Sequence, residues 1–344
     1  MKKVFAKIFI SFILLLYAGC SSISYETIYP TLNDGKYDSE FPYKSTSEEL
    51  KKISETIQRV NTTAFYKIFV FPEYENITLE DLQKIKPSQK AEKEIIADNS
   101  TSGTAVVVYS ENGNVALLTC AHTLTFQDTI LAFRMKEDGS YSEYLESISI
   151  KEKQVIYVAG FPEGSQVEIL AIDEESDLAL IGKNYGAQKN IFYPAFKYPL
   201  GNAKEVEWGT FVYLMGYPIN FKMITKAIVS SPKKDGDGSF LVDAVINPGF
   251  SGGLVLAIRD GVPNFELIGI VQWVPEEEES LLYPQTIKTN SAYNPVIPYD
   301  GDIFVRKHKS IRYGITKVIP VENIRKFILS NKAALNNKGF YVFE

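Results

Sequence analysis

The sequence predicts an all-β protein, an antiparallel barrel or sandwich framed by one helix near each end. Short apolar runs recur along most of the chain without the helical patterns of about 10–15 residues that separate parallel strands. Turn signals punctuate them, as in Glu111-Asn112-Gly113-Asn114 and Asp235-Gly236-Asp237-Gly238. Helical spacing shows around Leu50 and around Ile324, with a short helical stretch at 79–85 inside the first insertion.

The first helix is expected over residues 46–60. Thr46-Ser47-Glu48-Glu49 resembles a capping box, and Leu50, Ile53, Ile57 and Val60 share one face. Strands are expected at residues 65–71, 105–109, 115–119, 130–135, 154–159, 167–172 and 178–182. Further strands are expected at 211–215, 223–230, 239–245, 253–258, 266–274 and 311–318. The last helix starts at Pro320 and carries Val321, Ile324, Phe327 and Ile328 on one face, with a tail at 336–344. Two charged insertions, 72–102 and 275–310, read as solvated loops or binding rims. The Asp-Gly run at 235–238 also invites a calcium-loop reading, but it lacks the downstream ligands.

The first 19 residues lie outside the folded part: Lys2, Lys3 and Lys7 precede an apolar run at 8–17 and then Ala18-Gly19-Cys20. This is the pattern of a secretory leader. Cysteine after Ala-Gly resembles the lipobox of bacterial lipoproteins, which implies a lipid on Cys20 and a membrane partner. Tyr17 stands where that motif usually has leucine, so an ordinary cleaved leader with a free thiol is the alternative. Residues 20–45 then read as a tether and 46–335 as the folded domain. The location implied is the bacterial envelope; Ser21-Ser22 lacks the aspartate that retains lipoproteins in the inner membrane, which points to the outer one.

With Cys20 lipidated, Cys120 has no disulfide partner, so a 344-residue chain that is 45% hydrophobic must rely on its core. Two widely separated histidines and one cysteine in an apolar strand argue against zinc. Loss of the three leader lysines takes the formal charge from −6 to −9, which disfavours nucleic acid.

The candidate chemistry lies in three segments. Gly249-Phe250-Ser251-Gly252-Gly253 sets a serine on a tight turn, and a serine hydroxyl needs a base to become a nucleophile. His122 follows the apolar strand at 115–119, and Asp177 heads another at 178–182, where it can hold an imidazole. The Gly249 and Ser251 amides are the candidate oxyanion hole. The glycines also fit the elbow of α/β-hydrolases, whose base follows the serine; only His308 would serve, and the strand-helix alternation is missing. Cys120 reads as a small buried side chain, not a nucleophile.

These segments resemble the trypsin-like serine proteases: Ser102-Gly103-Thr104-Ala105, Leu118-Thr119-Cys120-Ala121-His122, Asp177-Leu178-Ala179-Leu180 and Asn247-Pro248-Gly249-Phe250-Ser251-Gly252-Gly253. The HtrA (Deg) branch is the most similar, here without a PDZ domain. The resemblance implies two six-stranded antiparallel β-barrels and a His122-Asp177-Ser251 triad between them. It further implies a peptide or protein substrate, no metal, and no organic cofactor. By the same resemblance Val245, Ile246, Gln272, Trp273 and Val274 line the primary pocket, which implies small or medium apolar residues before the cut bond. Phe250 departs from the aspartate of the digestive enzymes, so activation through a new N-terminus is not expected; Val274 replaces a usual glycine. The competing reading is a non-catalytic peptide-binding protein on the same scaffold. Oligomeric state is not legible.

Overall fold

Several strands are apolar at nearly every position, and each such strand finds cover on both faces. The computed structural model describes residues 33–136, 140–162, 166–186, 191–232, 238–273, 276–284, 303–311 and 314–343. The first barrel comprises β1 (Ile57–Val70), β2 (Lys93–Glu111), β3 (Asn114–Thr119), β4 (Thr129–Met135), β5 (Tyr141–Val158), β6 (Gln166–Asp173) and β7 (Leu178–Asn184). Its order is β1-β2-β3-β7-β6-β5, closed by pairing of β1 with β5, with β4 added outside β5. The second comprises β8 (Phe211–Gly216), β9 (Met223–Ser231), β10 (Phe240–Val242), β11 (Leu254–Ile258) and β12 (Phe265–Trp273). A separate hairpin, β13 (Glu276–Pro284) with β14 (Ile303–Ile311), precedes the closing strand β15 (Thr316–Pro320). The closed order is β10-β15-β12-β11-β8-β9. Both rings are antiparallel, as the sequence led one to expect.

The two-residue period of a strand divides the apolar side chains between three compartments. On β3 and β7, Leu117, Ala179 and Ile181 fill the first barrel. Their neighbours Leu118, Leu178 and Leu180 pack between the barrels against Tyr213, Met215, Leu254 and Leu256. Val212, Leu214, Val255 and Ala257 fill the second barrel. The barrels therefore share one core cluster, which holds the strand ends of each beside the other.

The helices are α1 (Ser47–Ser54), α2 (Leu79–Leu82) and α3 (Val321–Asn337). Helix α1 ends six residues short of the expected 60, because Ile57 and Val60 already sit in β1, paired with Val106 and Gly103. The apolar spacing ran on by coincidence across a helix-to-strand junction. Thr46 forms no cap; its hydroxyl lies 3.2 Å from the Tyr213 hydroxyl, and the capping box occurs instead between Thr78 and Asp81. Strand β5 extends the expected 154–159 back to Tyr141, and β2 starts at Lys93, inside the first expected insertion. These extensions form a blade beyond the barrel with its own apolar cluster of Phe69, Phe71, Ile77, Leu145 and Ile148. The second insertion holds the hairpin rather than loop alone.

Part of the expected tether is docked. Tyr37 and Asp38 are buried, the Asp38 amide donates to Ile258 O (2.9 Å), and Phe211 N donates to Asp38 O (2.9 Å). Burial pushes the Asp38 carboxyl up to about 6, although the Gly261 N–H at 3.1 Å favours its charged form. The tail also packs, with Phe340 and Val342 in the core. The leader, Cys20 and the first three residues of the turn expected at 235–238 lie outside the described residues.

Candidate active site

Strand β3 stops at Thr119, and the chain turns through a short 3₁₀ segment, Ala121–Thr123, that carries His122. Across from it, Asp177 immediately precedes β7 in the left-handed region at φ +55°. A turn in which Ser176 Oγ donates to Asp173 (2.6 Å) leads into that conformation, and this hydrogen bond holds the Asp173 carboxyl below its usual range. Asp177 is buried. Its carboxylate accepts from the His122 backbone N–H at 2.9 Å and lies 2.8 Å and 3.0 Å from His122 Nδ1. Its own carbonyl accepts from Ala121 N at 3.2 Å. A carboxylate offers only acceptors, so this network assigns the proton to Nδ1 and leaves Nε2 with a lone pair. The imidazole side chain is 43% exposed, whereas the Asp177 side chain is 12% exposed. The two side chains expected to act as base and orienting group are thus joined, one open and one covered.

Ser251 lies on the second barrel, in the loop before β11. Gly249 has φ +99°, and a Cβ there would stand 2.5 Å from Tyr217 O; at Gly252, with φ +85°, a Cβ would stand 2.1 Å from Thr104 O. Only glycine fits either place. The Phe250 amide donates to Asn247 O (3.3 Å), Gly252 N to Val271 O (2.8 Å) and Gly253 N to Phe250 O (2.8 Å). Gly249 N and Ser251 N have no acceptor among the described residues. These are the two amides named as candidate donors from the sequence.

The loop is strapped to the first barrel by Thr104, which is fully buried. Thr104 N donates to Ser251 O (2.8 Å), and its hydroxyl donates to Gly249 O (2.8 Å) while accepting from Tyr217 N (2.8 Å). Thr119 Oγ1 donates to Thr104 O at 2.7 Å. A Cβ on Gly103 would lie 2.8 Å from Thr123 Cγ2 and 3.2 Å from Ser251 O, so the His122 turn and the serine backbone meet there. Among the described residues no hydrogen bond joins the Ser251 hydroxyl to His122. Such bonds are often long in the absence of ligand. In the sequence Thr104 stands only as part of the Ser102-Gly103-Thr104-Ala105 motif, without this role; a polar residue heading the apolar run at 105–109 was the available signal.

Phe250 is buried in the core of the second barrel, where Cβ atoms at Gly216 and Gly253 would lie 2.8 and 2.9 Å from its ring. Apolar burial anchors the loop from beneath.

The expected pocket residues separate. Ile246 is 3% exposed and belongs to the core of the second barrel, whereas Val245 is 64% exposed. Both residues follow the end of β10 at Val242, one open to solvent and one turned into the barrel. Gln272 sits at a bulge between Val271 and Trp273, and its Oε1 is buried without a partner among the described residues. Trp273 pairs through its backbone with Lys317; Val274 lies outside the described residues. His308 is on β14 opposite Glu279, in a sheet separate from either barrel.

Cys120 is completely buried, and its thiol donates to Val271 O at 3.3 Å. Burial first, and the Asp177 charge second, push the thiol well above its ordinary range. Contrary to the spacing argument, the fold does gather donors: Cys120, His122 and Asp177 offer ligand atoms within 4.8 Å of one another. A protonated thiol and a carboxylate already engaged by His122 suit an imidazole support better than a metal cage.

The trypsin-like peptidase domain family matches residues 103–270, a stretch that includes His122, Asp177 and Ser251. No curated protein matches the sequence. Among solved structures the chain is similar to the HtrA-type protease AlgW with tripeptide, at 16% identity and TM-score 0.44, over 84% of this chain. The chain spans 64% of the length of that AlgW chain. It is also similar to Deg5, at 15% identity and TM-score 0.35, over 67% of this chain and 87% of that one. The architecture of this chain is the trypsin-like double barrel, with a trypsin-like peptidase domain matched across both barrels.

Proposed function

We propose that the protein is a serine endopeptidase of the bacterial envelope, tethered by lipid on Cys20, that cuts proteins or peptides through an acyl-enzyme. The observation that carries the reading is the His122–Asp177 pair at 2.8 Å, on a turn whose next residue contacts Gly103 beside the Ser251 backbone.

The chemistry follows from the geometry. Asp177 keeps the Nδ1 proton in place, so Nε2 takes the Ser251 proton as Oγ attacks the peptide carbonyl. Charge on the former carbonyl oxygen is met by the Gly249 and Ser251 N–H groups, which have no acceptor among the described residues. His122 then hands its proton to the leaving amine, and a water repeats the sequence to release the acyl group. Asp177 stays a carboxylate throughout. None of these steps calls on a metal or an organic cofactor.

The segment proposed to face the residue before the cut bond carries no charge: Val245 is exposed and apolar, with Ile246 beneath it. Gln272, Trp273 and Val274 are proposed to complete the pocket by the same resemblance. A small or medium apolar residue is the expected occupant. A second reading, a peptide-binding protein that does not cut, is favoured by the missing Ser251–His122 hydrogen bond. A peptide library decides between them: wild type is expected to cut after alanine, valine or leucine, and Ser251→Ala to cut nothing. Cutting after lysine or arginine overturns the specificity; capture of peptides without cutting favours the second reading.

A further inference from the structure

We propose that Ile219 is a positioning residue: its backbone N–H, held in a strained conformation, aims the Gly249 amide into the oxyanion site. The proposal rests on the serine peptidase reading for its catalytic consequence, but the clamp itself is a matter of geometry.

Ile219 has φ +49° and ψ +36°. A β-branched residue there is a genuine outlier, since its branched Cβ crowds the backbone. Its side chain is 61% exposed, so core packing does not compensate. Such outliers persist only where the surroundings enforce them, and they concentrate at functional sites. Here the enforcement is visible at both ends of the loop. Tyr217 N is bonded to Thr104 Oγ1 at 2.8 Å, Phe221 N to Pro218 O at 2.9 Å, and Lys222 Nζ to Ser54 O at 2.6 Å.

The conformation delivers one hydrogen bond, from Ile219 N to Pro248 O at 3.0 Å. That carbonyl belongs to the same planar peptide unit as the Gly249 N–H. In a trans peptide the two point in opposite directions, so pinning the oxygen turns the amide away from Ile219. The next peptide is pinned likewise, by the Thr104 hydroxyl on Gly249 O at 2.8 Å. Both peptide planes flanking Gly249 are therefore fixed by groups outside the serine loop. Rotation of the first plane would remove one of the two free amides and leave the Ile219 N–H without its acceptor.

Three variants test this. Ile219→Pro has no N–H and a φ near −65°. It is expected to lower kcat about 10²–10³-fold with KM within about threefold, the loss seen when one oxyanion donor is removed. Crystals of it are expected to show the Pro248–Gly249 peptide turned. Ile219→Asn and Ile219→Gly keep the N–H and enter the left-handed region readily. They are expected to keep wild-type kcat and to raise Tm by a few degrees. Ile219→Pro with wild-type kcat and an unturned peptide overturns the proposal. Should that variant fail to fold, hydrogen exchange in wild type still decides: the Ile219 amide is expected to be protected despite its exposed loop, and fast exchange overturns the clamp. A turned peptide in Ile219→Pro together with a wild type that never cuts substrate would keep the clamp and reject the peptidase reading.

Discussion

The two halves of the site are held by different means. On the first barrel, His122 and Asp177 are fixed by side chain meeting side chain, at 2.8 Å, with the carboxylate also gripping the His122 backbone. On the second barrel, Ser251 is fixed almost wholly through main chain. Its loop depends on glycines at 249 and 252, where a Cβ would strike backbone oxygens, and on hydrogen bonds from Thr104 and Ile219. The contrast teaches that the base half is specified by chemistry carried in side chains. The nucleophile half is specified by conformation, so substitutions far from any reacting atom should damage it.

The base half should break hardest. Asp177→Asn removes the group that fixes the Nδ1 proton, and kcat for peptide hydrolysis is expected to fall about 10⁴-fold with little change in Tm. Retention of activity within tenfold would mean that another group orients His122.

The strap should be gentler. Thr104→Val keeps the shape and deletes the hydroxyl that holds Gly249 O and Tyr217 N. One buried and one partly buried group lose their bond, so stability is expected to drop by about 1–3 kcal/mol in denaturant titrations. A decrease in kcat of about 10–100-fold is expected, with KM nearly constant, because a displaced donor acts mainly in the transition state. A pure KM effect would place the strap in substrate binding instead.

The smallest effect lies away from both halves, on the docked arm. Burial raises the Asp38 carboxyl to about 6 from an ordinary value of 3.8. Between those values the native state binds more protons than the unfolded one, so stability falls as pH rises from about 4 to 6. Asp38→Asn is expected to remove that slope and to melt a few degrees higher than wild type at pH 7. Parallel Tm curves for the two proteins across pH 4–7 would show that Asp38 bears no such cost.

The base half was also the more legible in sequence. His122, Asp177 and Ser251 stand out at strand ends only as a set, each alone being as readily structural, and many short apolar runs without helical spacing announced the barrels. Errors arose where a pattern crossed a boundary or a tertiary contact outranked it. Ile53, Ile57 and Val60 keep helical spacing although the last two belong to β1. Residues 141–153 form a half-exposed ribbon whose mixed polarity concealed a strand. Thr46 looked like a cap, yet Tyr213 engages it. Ile219 left no trace at all, since its contribution is an N–H that every non-proline residue has.

Fluorophosphonate labelling, with the modified residue located by mass spectrometry, tests most directly whether the two halves act as one site. Wild type is expected to carry one adduct on Ser251, and His122→Ala to label at least about 10³-fold more slowly. An unlabelled Ser251 in folded wild type, or labelling indifferent to His122, would contradict the account.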